Sequence, residues 1–272
     1  MIPDRTLEDS AILKIEKVYK SFGGILALNG VSFTVGSNSI TGLIGPNGSG
    51  KSTLFNVISG FYRKDGGEIY FQGEKIECLE PYSIAMLGIG RTFQISEIPE
   101  KMTVLENLLL APKRQCGEGI CNVFLKPRRI KREHERHLSN ALDILELVQL
   151  TDLKNEYAEN LSGGQKKLLS LGRILMSEPK LLLLDEPTAG VNPTLVKDLM
   201  VAIRNLRDER GITILLVEHN MRVISEICDR VIVLDFGQKI AEGTPEEIQR
   251  SKEVLEAYLS GSSKRDLFRE DF

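Results

Sequence analysis

Gly45-Pro46-Asn47-Gly48-Ser49-Gly50-Lys51-Ser52-Thr53 fits the pattern G-x-x-x-x-G-K-[S/T], a loop that cradles nucleotide phosphates. Apolar Ile40-Thr-Gly-Leu-Ile44 leads into it and reads as a buried strand, and Lys51 to Ile58 leads out and reads as a helix. The motif therefore has the strand–loop–helix setting that its chemistry needs. Glycines at 45, 48 and 50 let the backbone turn with its N–H groups inward, a nest for anionic oxygens. The helix that follows adds the positive end of its dipole. Lys51 is expected to reach the β- and γ-phosphates, and the Ser52 hydroxyl to ligate Mg²⁺.

A second element fits the first. Leu181-Leu-Leu-Leu-Asp185-Glu186-Pro187 sets four leucines before two acids. The leucines suit a strand buried on both faces. A carboxylate at the carboxyl end of such a strand lies where doubly wound sheets bind ligands. Asp185 is expected to hold the Mg²⁺, directly or through water, and Glu186 to polarise a water for in-line attack on the γ-phosphate.

Size and composition are compatible with this. The chain has 272 residues, enough for a large core and two subdomains. Lys+Arg of 35 against Asp+Glu of 38 leaves a formal net charge of −3, which is no footprint for non-specific nucleic-acid binding. No apolar run approaches a bilayer span, and Met1-Ile-Pro-Asp-Arg-Thr-Leu-Glu-Asp is too polar for a signal peptide, so a cytoplasmic setting is expected. The four cysteines make no disulfide framework. Cys116 and Cys121 lie near His134 and His137, but the spacing matches no zinc pattern and the histidines sit in a charged helical stretch.

Along the chain, Ile12–Val18, Val31–Val35 and Glu68–Phe71 read as strands of a small β region. From about Ser96 to Asn160 the strand signals stop. Val104–Leu110 is helical, Ala111–Lys126 is a loop, and Arg128–Val148 is a long helix, charged first and amphipathic later. Strand and helix then alternate: Leu181–Leu184, Pro193–Arg207, Ile212–Val217, Met221–Cys228, Val231–Leu234. That alternation predicts a mostly parallel sheet. The expected organisation is a nucleotide-binding core (1–94, with the β region), an inserted helical subdomain (95–165), the second part of the core (166–260) and a tail (261–272).

Leu161-Ser162-Gly163-Gly164-Gln165 opens a helix through Leu168, Leu169, Leu171 and Ile174. A serine with two glycines at a helix start is either a second anion site or a helix cap.

This order of motifs resembles an ABC-transporter ATPase over almost the whole chain. The resemblance implies an α/β fold: a P-loop NTPase (RecA-like) core with a small antiparallel β region and an inserted helical subdomain. It makes ATP and Mg²⁺ the expected substrate and cofactor. It makes Ser162, Gly163, Gly164 and Gln165 the signature segment, which completes the ATP site of a partner subunit. The implied assembly is a head-to-tail dimer with a second copy or a paralogue, bound to transmembrane permease subunits and served by a substrate-binding protein at the cytoplasmic face of the membrane. Nucleic acid is not an expected partner.

The same resemblance carries over to further residues. Gln94, in Gly90-Arg-Thr-Phe-Gln94, matches the glutamine that senses Mg²⁺ and the membrane subunit. An amide oxygen is a suitable hard ligand. His219, in Leu215-Leu-Val-Glu-His219, matches the switch histidine, and Phe22 the aromatic that stacks on adenine. The segment from Ile95 to Leu110 is the expected docking region for a cytoplasmic helix of the permease. Asn192 and Asn220 stand where many relatives carry Asp, and neither replaces a catalytic carboxylate.

Gly23-Gly-Ile-Leu-Ala-Leu28, Met102-Thr-Val-Leu-Glu-Asn-Leu108, Ala189-Gly-Val-Asn-Pro193 and Ala241-Glu-Gly-Thr-Pro245 resemble the ATPases of branched-chain amino acid uptake. Urea or amide importers and the lipopolysaccharide-export ATPase share several of these stretches. Soluble ABC ATPases of DNA repair or translation form a further class. No sustained heptad and no second phosphate loop is present to favour them.

Overall fold

The computed structural model describes residues 11–92, 98–113, 115–116 and 126–260. They fall into two compact units. Met1–Arg91, Lys180–Pro187 and Leu206–Phe272 belong to the first, Thr92–Pro179 and Thr188–Asn205 to the second. The sequence reading closes the helical segment at Gln165, whereas the compact second unit continues to Pro179 and takes in 188–205.

The first unit is built on two sheets. Strands β1 (Ala11–Phe22), β2 (Ile25–Gly36), β4 (Gly66–Phe71) and β5 (Glu74–Lys75) form an antiparallel sheet in the order β2-β1-β4-β5. From Val31 to Val35, β2 alternates buried and part-exposed residues, the pattern of a sheet with one face in the core. The larger sheet has six strands in the order β10-β9-β3-β8-β7-β6. These are β3 (Ile40–Ile44), β6 (Ile89–Arg91), β7 (Leu181–Asp185), β8 (Thr213–Val217), β9 (Arg230–Asp235) and β10 (Gln238–Gly243). All pairs are parallel except β10 with β9. Strands β3, β7 and β8 are buried at every position, as the near-continuous apolar runs predict for central parallel strands.

Helix α1 (Lys51–Ile58) buries Leu54, Phe55, Val57 and Ile58 in a core shared with Leu13 and Ile15 of one sheet and Leu43, Leu183 and Leu215 of the other. Helix α2 (Pro81–Leu87) starts with proline in its first turn and ends at Gly88 in the left-handed region, φ 117°.

The second unit is helical: α3 (Val104–Leu109), α4 (Pro127–Leu147) and α5 (Gly163–Leu175). Helix α3 packs on α4 and α5, and α4 on α5. A Cβ on Gly172 of α5 would lie 3.0 Å from the Leu108 side chain of α3 and 3.3 Å from that of Ile144 on α4, so glycine there allows a close approach of the three helices. Helix α4 buries Ala141, Ile144 and Leu145, while the cations Arg128, Arg129, Lys131 and Arg132 of its first turns are exposed. Much of the expected 111–126 loop lies outside the described residues.

Helix α6 (Pro193–Asp208) runs from the second unit into the first. The first unit closes with α7 (Met221–Ile227), α8 (Pro245–Arg250) and α9 (Lys252–Ser260).

Candidate functional site

The turn after β3 follows the glycines. Gly45, Gly48 and Gly50 have φ of 152°, 82° and 102°. A Cβ on Gly45 would lie 2.0 Å from the Leu234 carbonyl, and one on Gly50 2.5 Å from the Ala27 carbonyl. Neither position has room for any other residue. Within the loop the Ser49 amide donates to the Pro46 carbonyl at 3.2 Å, and the Ser49 carbonyl accepts from Gly237 at 3.0 Å. At the other end, the Gly45 backbone hydrogen-bonds the phenol of Tyr258 on α9, whose burial pushes its pKa up to about 12. The β9–β10 turn and α9 thus hold the loop at both ends. Helix α1 has Gly50 as its N-cap, no side-chain cap and no acid in its first turn. Its leading N–H groups have no side-chain capping acceptor, which is what an anion site requires.

Lys51 is buried, and its ammonium donates to the Gly45 and Pro46 carbonyls at 2.8 and 2.9 Å. Burial pushes its pKa below the ordinary amine value, and the carboxylates of Glu186 and Asp185 pull it back. The expected trio is thereby in electrostatic contact within one unit. Ser52 is exposed and Thr53 part-buried at the start of the same helix.

Asp185 is the last residue of β7, with a side chain 4% exposed. Burial raises its pKa, and the nearby Arg91 guanidinium opposes that rise. Glu186 follows with φ 49°, an unusual conformation for a non-glycine residue, and its amide donates to the Val217 carbonyl of β8 at 2.9 Å. That turn brings Glu186 Oε1 to 2.9 Å from His219 Nε2. His219 reaches it from the carboxyl end of β8, the neighbour of β7 in the sheet. For a magnesium ion the donor chemistry fits: the Ser52 hydroxyl and the Asp185 carboxylate are hard oxygen ligands, and such sites keep waters and phosphate oxygens in the remaining positions.

Phe22 ends β1 and is 42% exposed, with its ring edge-on to Tyr62 at 5.2 Å between centroids. The Lys20 ammonium lies 5.1 Å from the Phe22 ring. Asp65 fixes this corner, bonding Lys20 at 2.8 Å and Ser21 at 2.6 and 2.7 Å, and the Lys20 and Ser21 bonds hold its carboxyl down at about 2. Gln94 lies outside the described residues, as does Glu97 of the expected docking segment.

In the second unit, Ser162 is the N-cap of α5. Its hydroxyl accepts from the Gln165 amide at 3.3 Å, and the Gln165 side chain accepts from the Ser162 amide at 2.9 Å. The cap alternative raised by the sequence is therefore realised in full. Gly163 is exposed with open space around it, whereas a Cβ on Gly164 would lie 2.7 Å from Leu195. Glu100, in the expected docking segment, is ion-paired with Lys166 of α5 at 2.8 Å, and Lys101 with Glu159 at 2.6 Å. The two asparagine departures are both helix starters. Asn192 accepts from the Thr194 amide at 2.9 Å and Asn220 from the Arg222 amide at 3.0 Å, roles that aspartate fills equally well.

Sequence reasoning gives no site role to Arg91, Tyr258, Tyr62 or Asp65. Arg91 stands inside the quoted Gly90-Arg-Thr-Phe-Gln94, but its partners are far away in the chain. Among the described residues no helix is long and apolar enough to cross a membrane.

The family model for ABC transporters matches residues 28–189, and that for the branched-chain amino acid ATP-binding cassette transporter matches residues 238–259. The second match contains α8 and nearly all of α9, including Tyr258. The high-affinity branched-chain amino acid transport ATP-binding protein BraF of Pseudomonas aeruginosa is 40% identical over 91% of this chain and 97% of its own length. The crystal structure of the ADP conformation of MJ1267, an ATP-binding cassette of an ABC transporter, superposes with a TM-score of 0.78 at 40% identity, covering 92% of this chain and 98% of that one. A dimeric post-hydrolysis state of the cassette MJ0796, bound to ADP and Pi, gives a TM-score of 0.70 at 26% identity over 86% of this chain and 98% of that one. The phosphate loop, the acid-ended buried strand with its histidine partner and these likenesses over most of the chain agree: the protein belongs to the ABC transporter family as an ATP-binding, ATP-hydrolysing subunit.

Proposed function

We propose that this chain energises an importer of branched-chain amino acids, working as a head-to-tail dimer on permease subunits at the cytoplasmic face of the membrane. A separate substrate-binding protein would deliver the cargo. The cargo rests on the branched-chain match at 238–259 and on BraF. The dimer draws support from the MJ0796 cassette.

The catalytic reading rests on one cluster: buried Lys51 under the field of Asp185 and Glu186, with Glu186 bonded to His219. The N–H groups of residues 48–53 receive the phosphates, and Lys51 exchanges its loop carbonyls for β- and γ-phosphate oxygens. Phe22 stacks on adenine. Ser52, Asp185 and Gln94 would hold a magnesium ion, which would supply charge neutralisation at the phosphates. Glu186 takes the proton of the attacking water. His219 Nε2 is engaged by Glu186, so a contact from that nitrogen to the γ-phosphate requires the ring to leave the carboxylate. That release frees Glu186 to meet water only when the γ-phosphate is present. Ser162 and the start of α5 complete the site on the other subunit's nucleotide.

Glu186→Gln keeps the shape and removes the base. Turnover is expected to fall about 10²-fold or more while ATP binding persists, so the ATP-bound dimer accumulates. Cells relying on that variant should lose leucine, isoleucine and valine uptake. Equal turnover in variant and wild type removes Glu186 from this role, and intact uptake of all three with turnover lost removes the cargo.

A further inference from the structure

Arg91 is the least expected charge in the first unit. It ends β6, and its side chain is only 9% exposed. Four groups fix its guanidinium. It donates to Asn56 Oδ1 at 2.8 Å and to Ser59 Oγ at 2.7 Å, and it lies 5.8 Å from the ring centres of both Phe55 and Phe61. Its Nη2 stands 3.6 Å from Asp185 Oδ2.

The two hydrogen-bond acceptors have a meaningful spacing. Ser52 and Asn56 of α1 and its C-cap residue Ser59 follow one another at i, i+4 and i+7, so they fall on one side of the helix and its C-terminal end. Arg91 therefore grips the helix face that begins with Ser52 and pairs with Asp185 at the end of β7. Ser52 and Asp185 are two of the three oxygen donors assigned to the magnesium ion, Gln94 being the third. A buried carboxylate without a paired cation is an uncompensated charge, and a planar, forked guanidinium held by two hydrogen bonds beside two aromatic rings is a rigid partner. A lysine would supply the charge but not the fork.

We propose that Arg91 is a positioning residue for the metal site: it holds the Asp185 carboxylate in register with the Ser52 face of α1, so that a divalent cation finds both oxygens in place. The proposal rests on reading the loop at 45–53 as an MgATP site. It assigns Arg91 no contact with nucleotide. It also gives the Gly-Arg-Thr-Phe-Gln run a physical role, since the residue that fixes Asp185 lies three positions before Gln94 in the sequence.

The test uses the full chain and a non-hydrolysable ATP analogue, with affinity measured by calorimetry in EDTA and across a magnesium titration. Wild type should bind the analogue in EDTA and tighten as magnesium is added. Arg91→Met should lose about 10- to 100-fold in the magnesium needed, the usual effect of removing an outer partner of a metal ligand, with the EDTA affinity nearly unchanged. Arg91→Lys should fall between the two. If Arg91→Met does not fold, the double variant Asn56→Leu, Ser59→Ala keeps the guanidinium but frees it, and the magnesium midpoint should still rise. An unchanged magnesium titration in either folded variant overturns the proposal. So does an equal loss of affinity with and without magnesium, which would make Arg91 a general brace of the loop. A wild-type chain that binds no analogue at all would instead remove the MgATP reading on which the proposal stands.

Discussion

Helices α1 and α5 both begin where a phosphate is expected, and they begin in opposite ways. Helix α1 is capped by Gly50 at φ 102°, with no side-chain acceptor and no acid in its first turn. Helix α5 is capped by Ser162 at φ −62°, with Gln165 closing a reciprocal capping box. The first end leaves its N–H groups to a ligand and depends on glycine geometry to do so. The second satisfies itself and stands without one. On the proposed reading, the difference separates a site that is committed to its anion from one that meets it as a visitor. On the proposed assembly, Ser162 must share its hydroxyl between its own helix and the partner's nucleotide, while the α1 end has no such competition.

Exchanging the caps should expose this asymmetry, with the larger effect at α1. Gly50→Ser places a Cβ 2.5 Å from the Ala27 carbonyl and puts a side chain in the left-handed region. Clash and backbone strain together should cost about 3 kcal/mol or more, roughly 100-fold or more in ATP affinity. Calorimetry with ATP reads that loss directly, and wild-type affinity in the variant would break the comparison at its stronger end. Ser162→Gly is the reciprocal change. Glycine is itself an acceptable N-cap, so the isolated chain should lose only about a few tenths of a kcal/mol in thermal unfolding. Its ATPase should nevertheless drop well beyond that small change, because the hydroxyl is gone from the partner's site. A variant that loses stability and activity in proportion would reduce Ser162 to a cap.

How much of this was legible in the sequence follows the range of the interactions. Strands β3, β7 and β8 declare themselves because central parallel strands are apolar at every position. Helix α1 is fixed by its glycines and Lys51, and α5 by Ser162 and its leucine spacing. Strand β6 is not legible because three residues, Ile89-Gly90-Arg91, carry no period, and its pairing with β7 is decided by distant residues. Strand β10, Gln238–Gly243, is an edge strand with little apolar signal. The α8 start is legible in Thr244-Pro245-Glu246-Glu247, a capping box with proline in the first turn. In the proposed site, Lys51, Asp185, Glu186 and His219 each stand in a sequence motif. Arg91 and Tyr258 act on Asp185 and Gly45 through contacts that only the folded sheet creates.

The central claim is that the open helix end and the self-capped one serve the same nucleotide from two different subunits. Mixing a Lys51→Ala chain with a Ser162→Arg chain tests it most directly. Each homodimer has both sites broken, while the mixed dimer holds one intact site, formed by the loop of one chain and the α5 start of the other. With mixed dimers isolated by two affinity tags, MgATP hydrolysis should recover to about half of the wild-type dimer if sites act independently, and in any case well above either parent. Hydrolysis no higher than that of the parents, in mixed dimers shown to have formed, would contradict the account.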